Sequence, residues 1–161
     1  MMLPVLQPLN CIWLLLPIIV WNAVFTSRLS QEGFKSDAGV PKPVLLTETV
    51  LRIAVFVWPL FLPLRWREPP SLAGWLLFAA GTLIYFASWL PLIYRPEAAW
   101  SKSAAGLLAP AYTPLLWLVG IAVIGGSWPY ALLSLLFVAV HVYHNILANI
   151  LLPSRINQSK Q

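Results

Sequence analysis

His141 and His144 stand three residues apart in HVYHN, with Asn145 beside them, inside a run that reads LLSLLFVAV before and ILANILL after. Residues three and four apart share a helix face, so on a helix both imidazoles and Asn145 point one way. An imidazole titrates near neutrality and can pass a proton or ligate a metal. Glu48 and Arg52, in a separate apolar run, stand at i,i+4 in the order that favours an ion pair along one helix. His141, His144 and Glu48 are therefore the candidate catalytic groups. Acid–base work on a substrate hydroxyl asks no more than a histidine and a carboxylate within reach. Arg52 is the candidate contact for negative charge, and Tyr85, Tyr112 and Asn145 are the candidate pocket-lining, ligand-binding groups.

Two histidines and one carboxylate also form a set that first-row metals use, but only if the runs carrying Glu48 and the histidines touch. The histidine-rich boxes of membrane metalloenzymes are missing. Haem held between two helices asks for facing histidines, and here both sit on one helix. No metal and no cofactor is therefore expected. Nucleophilic chemistry has no motif behind it: there is no G-x-S-x-G, no Gly-rich phosphate loop, and Cys11 is far along the chain from both histidines.

The elements that must position these groups follow from composition. The chain has 161 residues, 60% hydrophobic and 9% charged. Soluble domains carry about 25% charged residues. A chain this poor in charge cannot build a solvated surface, so its solvent is expected to be lipid. The expected fold is all-α: one polytopic integral membrane domain spanning the whole chain. Five runs are long and apolar enough to cross a bilayer, at about 3–25, 44–62, 71–94, 105–125 and 128–152. The last two are joined only by GGSWP, a turn signal that makes them an antiparallel hairpin. The first run lacks a basic leader and an A-x-A site, so it is expected to be retained rather than cleaved.

Basic residues then choose an orientation. Five spans put Arg28, Lys35, Lys42, Arg95, Lys102, Arg155 and Lys160 on one side, and only Arg65 and Arg67 on the other. The richer side is expected to be cytoplasmic, with the N-terminus outside and the C-terminus inside. Trp66, Trp75 and Trp128 then fall near the outer interface, and Trp21 and Trp100 near the inner one. The net charge of +5 is spread over loops and forms no dense basic face, so nucleic acid is not expected as a partner. The polar stretch from Thr26 to Pro43 is expected to be a connecting loop, with a lid over an inner entrance as the alternative. In the third run, Ala73, Ala80 and Ala87, and Gly74, Gly81 and Ser88, form two rows of small residues. Small residues let helices approach closely in lipid, so this helix is expected at the centre of the bundle. APAYTP, Ala109 to Pro114, reads either as one kink or as an irregular cavity-lining stretch.

On a helical wheel the fifth run places Ser134, His141, His144, Asn145, Ala148 and Asn149 on one face. Leu132, Leu135, Leu136, Ala139, Tyr143, Ile146, Leu147 and Ile150 cover the other, which is expected to face lipid. A rise of 1.5 Å per residue puts His144 about 12 Å and His141 about 16 Å from the Leu152 end of its span. The same count puts Arg52, Tyr85, Tyr112 and Thr113 each about 10–13 Å from the same side, with Glu48 and Asn22 nearer the edge. Polar groups from every span thus share one layer in the cytoplasmic half, and the outer half holds little beyond Asn10 and Thr82. The expectation is a polar cavity near the cytoplasmic leaflet that binds a small amphipathic or anionic ligand, with transport of that ligand as an extension of the same reading. Two alternatives use the same residues. One is a membrane enzyme acting on a lipid or isoprenoid by His/Glu acid–base chemistry; the other is an assembly subunit in which the layer only ties helices together. Expected partners are the lipid bilayer, a lipid or small molecule, and further copies or a larger membrane complex.

Overall fold

The computed structural model describes residues 9–30 and 39–151. Five helical rods in it are long and apolar enough to cross a membrane: Cys11–Arg28, Lys42–Phe61, Ser71–Tyr94, Ala104–Gly125 and Trp128–Leu151. The first rod opens with a 3-10 turn, Cys11–Leu15, and continues as α1, Leu16–Ser30. It starts later and ends later than the expected 3–25, of which residues 3–8 lie outside the described residues. The late start has a cause. Leu9 to Cys11 is extended against Leu62 to Leu64, with Cys11 N donating to Leu62 O (2.9 Å) and Leu64 N to Leu9 O (3.2 Å). Asn10 then caps the helix, its side chain accepting from Ile12 N at 3.1 Å. Because α1 runs on to Ser30, it takes up the start of the expected Thr26–Pro43 loop; residues 31–38, and with them any lid there, lie outside the described residues.

Helix α2, Lys42–Val57, passes into a 3-10 turn at Trp58–Phe61. Pro59 causes the change, since it has no N–H to give the carbonyl of Val55. Tyr130 makes good the loss: its buried hydroxyl donates to Val55 O at 2.9 Å. Helix α3, Pro69–Tyr94, is followed by the short α4, Ala99–Lys102, where Lys102 pairs with the exposed Glu97 and holds its carboxyl below the usual range. Two helices make the fourth rod, α5 (Ala104–Tyr112) and α6 (Pro114–Gly125). Thr113 between them keeps right-handed helical angles (φ −61, ψ −26), so APAYTP is one kink in a continuous rod. Pro114 cannot donate to Pro110 O, and the Thr113 hydroxyl bonds Ala109 O at 2.7 Å. Gly126, at φ 64, closes α6 in the left-handed conformation that suits glycine, and Ser127 caps α7, Trp128–Ile146. The expected hairpin is thus present. The last turn of the fifth rod, Leu147–Leu151, widens to a π-helix.

The centre of the bundle is the fourth rod and not α3. Of the fourth rod's span, 61% is buried, against 22% for α3. Still, the small residues of α3 do set the closest helix contact, and it is with α6. A Cβ on Gly81 would stand 2.6 Å from Trp117 N, and one on Gly120 would stand 2.6 Å from Phe78 N. Backbone meets backbone there, as small residues permit. The row Gly74, Gly81 and Ser88 turns inward, while Ala73, Ala80 and Ala87 are exposed. A helix whose other faces carry Leu72, Leu76 and Leu83, all exposed, is a wall rather than a core.

Candidate functional site

Helix α7 turns the expected face inward. Ser134, His144, Asn145 and Ala148 are buried, and Leu132, Leu135, Leu136, Ala139 and Tyr143 are exposed. Within the helix the polar groups are chained: Asn145 Nδ2 donates to His141 O (2.8 Å) and Asn149 Nδ2 to Asn145 Oδ1 (3.3 Å). Helix α2 lies along α7, antiparallel to it, tied at one end by the Tyr130–Val55 bond. Three turns along α7 from Tyr130, and two turns back along α2 from Val55, the two helices bring His141 and Glu48 together.

Glu48 is 3% exposed, and three cationic or potentially cationic groups surround it. Arg52, one turn along α2, pairs with Oε1. His141 Nδ1 meets the same oxygen at 2.7 Å, and His144 Nδ1 meets Oε2. One ionised carboxylate offers four lone-pair positions, enough for the guanidinium and both imidazoles. Arg52 neutralises the buried charge, while its own side chain stays 52% exposed. That arrangement reduces the cost of a charge in an apolar bundle, which is about 2.5–3.5 kcal/mol on insertion scales. His141 is held on its other side by Phe137, stacked at 5.4 Å between ring centroids and 14° between planes.

A cavity of about 490 Å³ adjoins this cluster. Its polar lining includes Asn22, Arg52, Tyr85, His141, His144 and Asn145, drawn from α1, α2, α3 and α7. Trp89, Trp117, Phe56 and Phe137 supply an aromatic wall, and the kinked fourth rod adds Pro110, Ala111 and Pro114. Tyr85 is fixed in place: its hydroxyl donates to Asn22 Oδ1 at 2.6 Å, and its ring meets Trp89 and Trp117 edge-on at 5.8 and 6.2 Å. Trp117 Nε1 is buried and has no hydrogen-bond partner among the described residues. A buried indole N–H with nothing to bond costs about 1–3 kcal/mol, so in a cavity wall it is a donor in want of an acceptor.

Of the residues picked out in the sequence, Arg52, Tyr85, His141, His144 and Asn145 line this cavity, and Glu48 stands behind them on the carboxylate side. Tyr112 does not. It is 42% exposed on the outside of the kinked rod, with its hydroxyl near Ala105 O (3.4 Å), while its neighbours Pro110 and Ala111 face inward. It was chosen by its distance along the rod, which does not fix the direction a side chain takes around it. Trp89, Trp117 and Asn22 were not singled out as ligand contacts. Tryptophan reads from sequence as interface or packing, so only the Asn22 polar signal was there to find. Cys11 is fully buried at the opposite end, its thiol near Pro63 O at 3.4 Å, and takes no part. Comparison of the chain with protein-family models, curated proteins and solved structures finds no match.

Proposed function

We propose that this chain is a five-span integral membrane protein that binds a small, amphipathic, anionic molecule in the cavity beside Glu48, His141 and His144. Large side chains such as Leu76, Leu83, Leu132 and Leu136 are exposed around the rods, which suits a lipid surface. With the N-terminus outside and the C-terminus inside, as the loop charges favour, the cavity belongs to the cytoplasmic half. The observation that carries the reading is the lining itself. A volume of about 490 Å³ is the size of a small-molecule site. Its walls join aromatic rings, Phe56, Trp89, Trp117 and Phe137, to an equally prominent set of polar groups, Asn22, Arg52, His141, His144 and Asn145, with the Arg52 side chain half-exposed. In this reading Arg52 meets the anionic group, His141 and His144 give hydrogen bonds, Trp117 Nε1 gives another, and the aromatic wall takes the apolar part.

The test is native mass spectrometry of protein purified in mild detergent. Wild type should retain one anionic amphiphile per chain. Ala111→Phe, which fills the cavity wall, and Arg52→Gln should both lose it while remaining folded. Wild type that carries no small molecule, and takes none up from added anionic amphiphiles, contradicts the proposal.

A second reading has a specific observation behind it. Glu48 bonds the Nδ1 of each histidine, which leaves Nε2 as the basic nitrogen, the arrangement by which a carboxylate orients a catalytic imidazole. The bound molecule would then be a substrate, deprotonated at a hydroxyl by His141 or His144. Turnover of that molecule by wild type, abolished in His144→Gln with binding retained, separates the enzyme from the binder.

A further inference from the structure

Two histidines and a carboxylate make a metal site only if their helices touch. In the structure they touch. Glu48 from α2 and His141 and His144 from α7 each offer a donor atom, and all three donors lie within 4.8 Å of one another. We propose that these three side chains hold a single first-row divalent ion, zinc being the reference case, and that Arg52 occupies the carboxylate in its place when the ion is absent.

The donor set is the first argument. Two imidazoles and one carboxylate are a recurrent set for zinc and for non-haem iron with open coordination positions. Bonds of about 2.0–2.2 Å to a common ion hold such donors about 3.4 Å apart at tetrahedral angles; the donors here lie within 4.8 Å of one another, and His141 Nδ1 and Glu48 Oε1, now in contact at 2.7 Å, would part by under about 1 Å to admit the ion. The scaffold is the second. The i,i+3 histidines share one helix face, and the carboxylate comes from a neighbouring helix locked in register by the Tyr130–Val55 bond. Two helices thus supply all three donors, with no mobile loop required. The third is access: His141 and His144 line the cavity, so a fourth coordination position can open into it.

Arg52 supplies the fourth argument and the sharpest consequence. A buried carboxylate needs a counter-charge, and Arg52 provides it at Oε1. A divalent ion bound to the same carboxylate would sit beside the guanidinium, and like charges at that distance repel. The Arg52 side chain is half-exposed and lines the cavity, so it has room to withdraw there. The ion and Arg52 therefore compete. Removing a group that hydrogen-bonds a metal ligand weakens binding in most metal sites; removing this one should tighten it. The inference does not depend on whether the cavity also holds an organic molecule.

The experiment titrates untagged, detergent-purified full chain, stripped with a chelator, with Zn²⁺ alone in a calorimeter, and with Co²⁺ followed by visible absorption. Wild type should bind one Zn²⁺ per chain and show a Co²⁺ ligand-field band without a thiolate charge-transfer band, since Cys11 is at the opposite end. Glu48→Gln and His144→Ala should each weaken Zn²⁺ about 100-fold or more, and Arg52→Gln should strengthen it roughly tenfold. Folded wild type that binds no Zn²⁺, a thiolate band in the Co²⁺ spectrum, or unchanged affinity in both ligand variants overturns the proposal. Should the ligand variants fail to fold, the wild-type stoichiometry, the Co²⁺ spectrum and Arg52→Gln still decide it: an Arg52→Gln affinity equal to or weaker than wild type counts against the site.

Discussion

Replacing Tyr130 by Phe removes one hydroxyl and tests how the site is held in register. That hydroxyl donates at 2.9 Å to Val55 O, and both residues are fully buried. The carbonyl has no helical partner because residue 59 is proline, and water cannot reach it. Leaving a buried carbonyl unbonded costs about 1–3 kcal/mol. Side-chain hydrogen bonds between membrane helices average about 0.6 kcal/mol and reach about 1.7. The Tyr130–Val55 bond belongs at the upper end of that range, because Pro59 denies the carbonyl its in-helix alternative. Tyr130→Phe should therefore destabilise by about 1–2 kcal/mol, measured by reversible unfolding in mixed micelles. Pro59→Ala restores an N–H one turn on. In that background the same substitution should cost under about 0.5 kcal/mol, a coupling that a double-mutant cycle reads directly. Because the bond sets α2 against α7, Tyr130→Phe should also weaken whatever binds at Glu48 and His141. A cost below about 0.3 kcal/mol, or the same cost in both backgrounds, refutes the reasoning.

Other outcomes follow from the same contacts. Glu48→Ala removes the buried acceptor on which Arg52, His141 and His144 converge and should cost about 1–3 kcal/mol in unfolding experiments, whereas Glu48→Gln, which keeps an acceptor, should cost less than half of that. Gly120→Ala drives a Cβ to within 2.6 Å of the Phe78 backbone and should cost about 1–3 kcal/mol, while Ala80→Leu, on an exposed face, should stay within about 0.5 in the same thermal scan. Thr82 has a buried hydroxyl with no partner among the described residues, so Thr82→Val should raise stability by up to about 1 kcal/mol. Single cysteines at Lys102 and Arg67, in a Cys11→Ser background, should label from opposite sides of sealed cells, with Arg67→Cys reactive from outside; labelling of both from one side contradicts the five-span orientation.

What sequence made legible was periodicity and hydropathy. The inward face of α7 followed from 3.6-residue spacing alone, and the Glu48–Arg52 pair from its i,i+4 order. Hydropathy located all five rods, yet it could not show that Leu9 and Asn10 are extended rather than helical, because their pairing with Leu62–Leu64 is a tertiary event that no local pattern records. The third rod looked central because its small residues stand out, but a glycine row shows where one neighbour approaches, not how many neighbours there are. Tyr112 shows the same gap at the site. Distance along the rod singled it out, and that distance carries no information about the face of α5 on which Tyr112 stands. The partnership of Glu48 with both histidines joins residues far apart in the chain, 93 positions for His141, and only the packing of α2 on α7 reveals it. The orphan indole of Trp117 was invisible for a related reason: an unmet hydrogen bond is a property of the assembled wall.

The chain has only two histidines, which makes the central contact directly observable. Protein with ¹⁵N-labelled histidine in lipid nanodiscs gives separate ring-nitrogen signals for His141 and His144. If Glu48 joins both imidazoles at the edge of the cavity, Glu48→Gln in a folded protein shifts the Nδ1 resonance of each, while substitution of the exposed Tyr112 shifts neither. Two Nδ1 signals that stay where they were when Glu48 is replaced would contradict the account.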